Sequence, residues 1–65
     1  MPKVETNRSD IIDRLTLEGW VLARHGGEHD VYRHPEHPKT PIVVPRHRTL
    51  SPGVARQIAK AAGWI

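Results

Sequence analysis

Cysteine and phenylalanine are both missing from the 65 residues, and Trp20, Tyr32 and Trp64 are the only aromatic side chains. Without cysteine no disulfide reinforces the chain, and the absence fits a reducing compartment. A domain of this size buries only about 60% of the surface that its unfolded chain exposes. With so few large side chains the core is therefore thin, and stability rests on packing and polar contacts alone. No apolar run approaches the ~20 residues of a membrane span. The first residues, Met1-Pro2-Lys3-Val4-Glu5-Thr6, hold no apolar stretch of the signal-peptide kind. These absences predict a cytoplasmic protein with a single domain over 1–65, free of membrane contact.

Acidic residues are scarce in one half. After Asp30 only Glu36 is acidic, while the same stretch carries Arg33, Lys39, Arg46, Arg48, Arg56 and Lys60. The whole chain has ten Lys and Arg against seven Asp and Glu, a net charge of +3. Most of the cations are arginines, whose planar fork matches phosphate. Cationic charge gathered in one half favours a polyanionic partner. The five histidines, His25, His29, His34, His37 and His47, fall on a hairpin and loops, with no cysteine among them and no close ligand pair on a helix. No metal site and no cofactor are expected from that spacing.

Residues 1–7 are polar and read as frayed. Ser9 caps a helix over about 9–18, with Asp10 and Asp13 at its positive end. Ile11, Ile12 and Leu15 form its apolar stripe, and Gly19 closes it as a left-handed residue. Residues 20–24 read as a strand, and 25–28 as a tight turn built on Gly26 and Gly27, since paired glycines tolerate positive φ. A second strand over 29–34 stops at Pro35, because proline lacks the backbone donor. Residues 35–40 read as a rigid loop, 41–44 as a third strand, and 46–50 as a basic connection. Ser51-Pro52 opens a second helix, with Val54, Ile58, Ala61 and Ala62 as its buried stripe. Gly63 ends it, and Trp64-Ile65 fold back on the core. The order α-β-β-β-α predicts an α+β fold in which two helices cover one face of a three-stranded antiparallel sheet and leave the other open.

Strand 29–34 alternates His29, Val31 and Arg33 against Asp30, Tyr32 and His34. Turning the first set inward would bury Arg33 at high cost. With Tyr32 inward, Asp30 and His34 sit at the strand ends within reach of water. His29 and Arg33 then share the open face, at an expected separation of about 7 Å.

The segment Gly27-Glu28-His29, continuing through Asp30-Val31-Tyr32-Arg33-His34 to Pro35, resembles the Gly-Ser-His motif and following strand of the HicA family of toxin–antitoxin mRNA interferases. Further matches are Leu17-Glu18-Gly19-Trp20, Val43-Val44-Pro45 and Ile58-Ala59-Lys60-Ala61-Ala62-Gly63. The similarity runs from about Ser9 to Ile65. It implies a double-stranded-RNA-binding-like fold, metal-independent endoribonuclease activity on mRNA, a HicB-type antitoxin partner, an inward Tyr32, and His29 as the catalytic residue. The chain departs from the family at Glu28, where serine is usual; an anion replaces a hydroxyl donor beside the imidazole and repels the RNA phosphate.

RNA carries its own nucleophile, the 2′-OH, and an imidazole that changes charge near neutral pH suits removal of its proton. Arg33 first and Arg24 second are the candidates to stabilise the developing phosphate charge. Lys39, Arg46 and Arg48 are candidates to hold backbone phosphates further along. The proton for the leaving oxygen comes from His34, His47, water or His29 itself. Two rival readings share the fold: an inert RNA-binding module, and a domain that only binds a protein partner. For such a partner, acidic groups facing Arg33 and the basic connection are expected over the open face.

Overall fold

A computed structural model describes residues 4–65. Its elements are α1 (Arg8–Leu17), β1 (Val21–His25), β2 (His29–His34), β3 (His37–Pro45) and α2 (Pro52–Ala62). The strands form one antiparallel sheet in the order β1-β2-β3. The fold is α+β, of the double-stranded-RNA-binding type. Among the described residues, no helix is long and apolar enough to cross a membrane.

Several of the expected boundaries move, and β1 runs Val21–His25 rather than 20–24. The helix cap is Asn7 rather than Ser9: the Asn7 side chain accepts from the Asp10 amide at 3.2 Å, and α1 begins one residue before Ser9. Residues 4–7 are held in place (1–3 lie outside the described residues). Val4 packs on the core, the Thr6 carbonyl accepts from the Leu50 amide at 2.8 Å, and Asn7 bridges to Thr49. These links set the starts of the two helices side by side. At the other end of α1, Gly19 takes φ +95°, as expected.

The expected loop at 35–40 is instead a two-residue turn, Pro35-Glu36, followed directly by β3. Residues 37–40, with Pro38, belong to the strand that was expected only from Pro41, and β3 is an edge strand. The Gly26 amide donates to the His29 carbonyl at 3.0 Å, so His29 directs its backbone groups toward β1. Its partner across β3 is Pro45, which therefore turns its nitrogen away from the ladder. By alternation so does Pro41, and neither proline removes a bond that the sheet needs.

The core joins Ile11 and Leu15 of α1, Trp20, Tyr32 of β2, Ile42 and Val44 of β3, Leu50, and Ala55, Ile58 and Ala59 of α2. Ile58 belongs to the expected stripe of α2, whereas Val54, Ala61 and Ala62 flank the core half-buried. Trp64 folds back as expected. Its indole Nε1 donates to Glu18 Oε1 at 2.7 Å, and the Arg14 guanidinium lies 4.2 Å from its ring centroid.

Asp30 corrects the sequence reading. It faces inward with Tyr32, but instead of reaching water it is buried at 6% exposure. Arg8 Nη2 donates to its Oδ2 at 2.8 Å, Arg46 Nη2 to its Oδ1 at 2.7 Å, and His25 Nδ1 lies 3.0 Å from Oδ1. The hydrogen bond from Arg46, aided by the charges of Arg46, His25 and Arg8, holds the Asp30 carboxyl below the ordinary value of 3.8 against the opposing effect of burial. A carboxyl depressed in this way contributes its full stability above the unfolded value and loses it as pH falls through the folded one.

Two outcomes are expected. Asp30→Asn costs about 2 kcal/mol, the worth of charge-assisted hydrogen bonds lost from a buried site, which lowers the melting temperature by about 10 °C in a domain this small. Urea unfolding at pH 7, 4.5 and 3 gives the second. In the wild type the Asp30 contribution persists to about pH 4 and disappears below it, and the Asn variant lacks that component. An equal acid loss in both proteins would refute the assignment.

Candidate active site

His29 is the first residue of β2, exposed on the face turned away from the helices. Its orientation follows from the alternation of the strand: Asp30 and Tyr32 are buried, and their neighbours face out. Tyr32 is inward as expected. Burial, then the charge of Asp30, pushes its hydroxyl above the usual phenol range, so it remains a protonated core group.

The turn before His29 is built differently from the expected one. Gly26 and Gly27 do not take positive φ; among the described glycines only Gly19 and Gly63 do. Gly26 is required by close approach, because a Cβ there would lie 2.6 Å from the His29 carbonyl oxygen. A Cβ on Gly27 would meet nothing within 4 Å. The neighbouring carbonyl of Glu28 accepts from the Arg46 amide at 3.0 Å, which ties the turn to the end of β3. Glu28 itself is exposed beside His29.

The register decides which cations stand near His29. Arg33 shares its face but lies four residues along the strand, about 13 Å by strand rise, twice the expected separation. It pairs with Val21 at the far end, and its Nη1 lies 3.4 Å from the Pro38 carbonyl. The hairpin register, His25 opposite Asp30 and then Arg24 opposite Val31, puts Arg24 on the same open face and diagonal to His29 at about 7–8 Å. Arg24 is therefore the nearer cation. Lys39 in β3 and Arg48 after it are both exposed. Arg46 is placed differently: its guanidinium donates from Nη2 at 2.7 Å and Nε at 3.3 Å to Asp30, and its Nη1 lies 3.5 Å from the Gly27 carbonyl. Asp30 is legible as an inward residue of β2, and what the sequence does not show is that Arg8 of α1 and Arg46 after β3 close on it.

His34 has both ring nitrogens engaged. Its Nδ1 accepts from the Glu36 amide at 3.0 Å, which leaves Nε2 to donate to the Glu18 carbonyl at 2.8 Å. Trp20 is buried and stacks on His37 at 5.5 Å, with His34 edge-on at 5.3 Å. It is a core residue, as its sequence context suggests. Among the described residues, no three His, Asp or Glu side chains converge as metal ligands. The open face also carries Val21 and Val43, 62% and 46% exposed. Near Arg33 a shallow hollow is lined by Val21, Ala23, Pro35 and Pro38. The face thus combines an accessible imidazole, two arginines and an apolar stripe.

The sequence model of a family described as the HicA toxin of bacterial toxin–antitoxin matches residues 8–64. No curated protein matches the chain.

The two glycines of the turn should respond differently to a methyl group. Gly26→Ala displaces the His29 backbone and costs about 1–3 kcal/mol, as overpacking does. Gly27→Ala is neutral or stabilises by up to about 1 kcal/mol through the unfolded chain. Thermal melts of the two variants check this, and equal melting temperatures would contradict the close approach at Gly26.

Proposed function

Because the chain belongs to the HicA toxin family of bacterial toxin–antitoxin systems, we propose that it is an endoribonuclease that cleaves mRNA with His29 as general acid–base, held in check by a HicB-type antitoxin over the open face. The observation that carries this reading is the exposure of His29 on the uncovered side of the sheet with Arg24 diagonal to it. The His29 imidazole removes the 2′-OH proton as that oxygen bonds to the adjacent phosphorus. The bond from phosphorus to the 5′-oxygen breaks, and that oxygen takes a proton. The products are a 2′,3′-cyclic phosphate and a free 5′-OH. Since the nucleophile belongs to the RNA, the step calls for no metal or cofactor.

Arg24 neutralises charge developing on the phosphate. Arg33, Lys39 and Arg48 hold phosphates further along the strand, which gives position without sequence. Arg46 drops out of that set, because its guanidinium is bound to Asp30. His34 drops out as a proton donor, because both its nitrogens are engaged. The leaving oxygen then draws on His29 in its protonated form, on His47 or on water. An mRNA substrate implies the cytoplasm as the place of action.

One observation favours a second reading. Glu28 puts a carboxylate beside His29 where the family usually has a hydroxyl, which suits a module that binds RNA or antitoxin without cutting. Incubation with a labelled transcript separates the two. The enzyme reading expects cleavage to cyclic-phosphate ends and a loss of about 10²–10⁴-fold in His29→Ala, the usual worth of a general acid–base. Binding without cleavage between pH 5 and 8 supports the inert module, and equal rates in wild type and His29→Ala exclude the mechanism. For the antitoxin, Arg48→Glu is expected to slow association several-fold at low salt with little change in dissociation, as rim charges do. An unchanged association rate would count against acidic groups facing that connection.

A further inference from the structure

We propose that Arg46 is a positioning residue for His29, a role that rests on the catalytic reading above. The geometry is a closed clamp. Residues 27 to 30 run through the chain as Gly27-Glu28-His29-Asp30, and Arg46 joins the two ends. Its Nη2 and Nε bind the Asp30 carboxylate at 2.7 and 3.3 Å, and its Nη1 reaches the Gly27 carbonyl at 3.5 Å. Its backbone amide adds a third tie inside the loop, to the Glu28 carbonyl at 3.0 Å. The residues on both sides of His29 are therefore fixed to one residue, Asp30 by its side chain and Glu28 by its backbone amide, and that side chain is anchored on a buried carboxylate that Arg8 also holds.

The ring is exposed at the start of β2, so its direction depends on the backbone beneath it. The guanidinium lies on the helix side of the sheet with Asp30, opposite the side on which His29 stands. It reaches the reacting atoms only through the backbone that it restrains. A phosphate ligand would need its N–H groups turned to the open face, and those of Arg46 are turned to Asp30, to Gly27 and, from Nη2 at 2.6 Å, to the His25 ring. Arginine suits the clamp because a planar fork spans two acceptors at fixed spacing, whereas a lysine ammonium meets a carboxylate as a point charge.

The test uses the full chain and one labelled messenger transcript, with kcat and KM measured for wild type, Arg46→Lys, Arg46→Ala, His29→Ala and the double variant Arg46→Lys/His29→Ala. Arg46→Lys keeps a cation beside Asp30 and keeps the backbone tie to Glu28; circular dichroism at the assay temperature confirms that it is folded. A clamp predicts that kcat falls on the order of tenfold or more in Arg46→Lys, as expected when a reacting group is misplaced, while KM stays within about twofold. It also predicts that Arg46→Lys adds no further loss once His29 is alanine, because its effect passes through that ring. A phosphate ligand gives the opposite pattern: KM rises in Arg46→Ala, and lysine restores it. That pattern, or a wild-type kcat in Arg46→Lys, overturns the proposal while leaving His29 catalytic. Wild-type cleavage by His29→Ala overturns the catalytic reading itself, and the clamp falls with it.

Discussion

The rest of the structure depends on one buried carboxylate. Asp30 meets Arg8 at the start of α1, His25 at the end of β1 and Arg46 just beyond β3. Four elements thus converge on a single charge. Taking a carboxylate out of water is costly, and the cost is offset only where several hydrogen bonds and opposite charges surround it. A core without phenylalanine has few side chains with which to lock the end of a sheet, and here an ion cluster does that work. Because Asp30 directly follows His29, strand alternation puts the anchor on the covered face and the imidazole on the open one. The most constrained and the most accessible side chains of β2 are neighbours in sequence for that reason.

The sheet has two faces and two edges, each treated differently. The covered face is closed by Ile11, Leu15 and Ile58 from the helices. The outer edge of β3 offers few free backbone groups, because Pro41 and Pro45 turn donor-less nitrogens outward and the Pro45 carbonyl already accepts from Arg8 Nε at 2.8 Å. The bulge at Ala23 shortens regular pairing on the other edge. Both devices discourage edge-to-edge association of sheets and leave the open face as the surface on which partners can meet the molecule.

Much of this fold could be read from the chain. Helix periodicity around Ile11 and Leu15, the Ser51-Pro52 start and the alternation of β2 each fix a local structure by one physical rule, and the structure follows them. Where reading failed, two rules competed. The stretch 35–40 with its two prolines argued for a loop, but β3 is an edge strand and already begins at His37. The pair Gly26-Gly27 argued for positive φ, yet the glycine at 26 answers a close carbonyl instead. Asp30 argued for solvent, and only the long-range arrival of Arg8 and Arg46 makes its burial tolerable. Its partners lie 22 and 16 residues away, beyond any local pattern. The bulge at Ala23, which sets Val21 opposite Arg33, has no signature in the residues either.

The same long-range pairing changes what the basic composition means. Counting Lys and Arg suggests a uniformly cationic RNA surface, but the structure divides these charges. Arg8 and Arg46 share the single negative charge of Asp30, and Arg14 is held by Glu18 and Trp64. What remains near the open face is Arg24 and Arg33, with Lys39 and Arg48 exposed beyond them, set among Val21, Val31 and Val43. On the proposed function one surface then serves two partners. The arginines draw in a polyanion, while the exposed valines offer apolar area that RNA uses poorly and a protein uses well. On that reading an antitoxin laid over Val31 and Val43, which pair beside His29, covers the imidazole as well and inhibits by occupying the face.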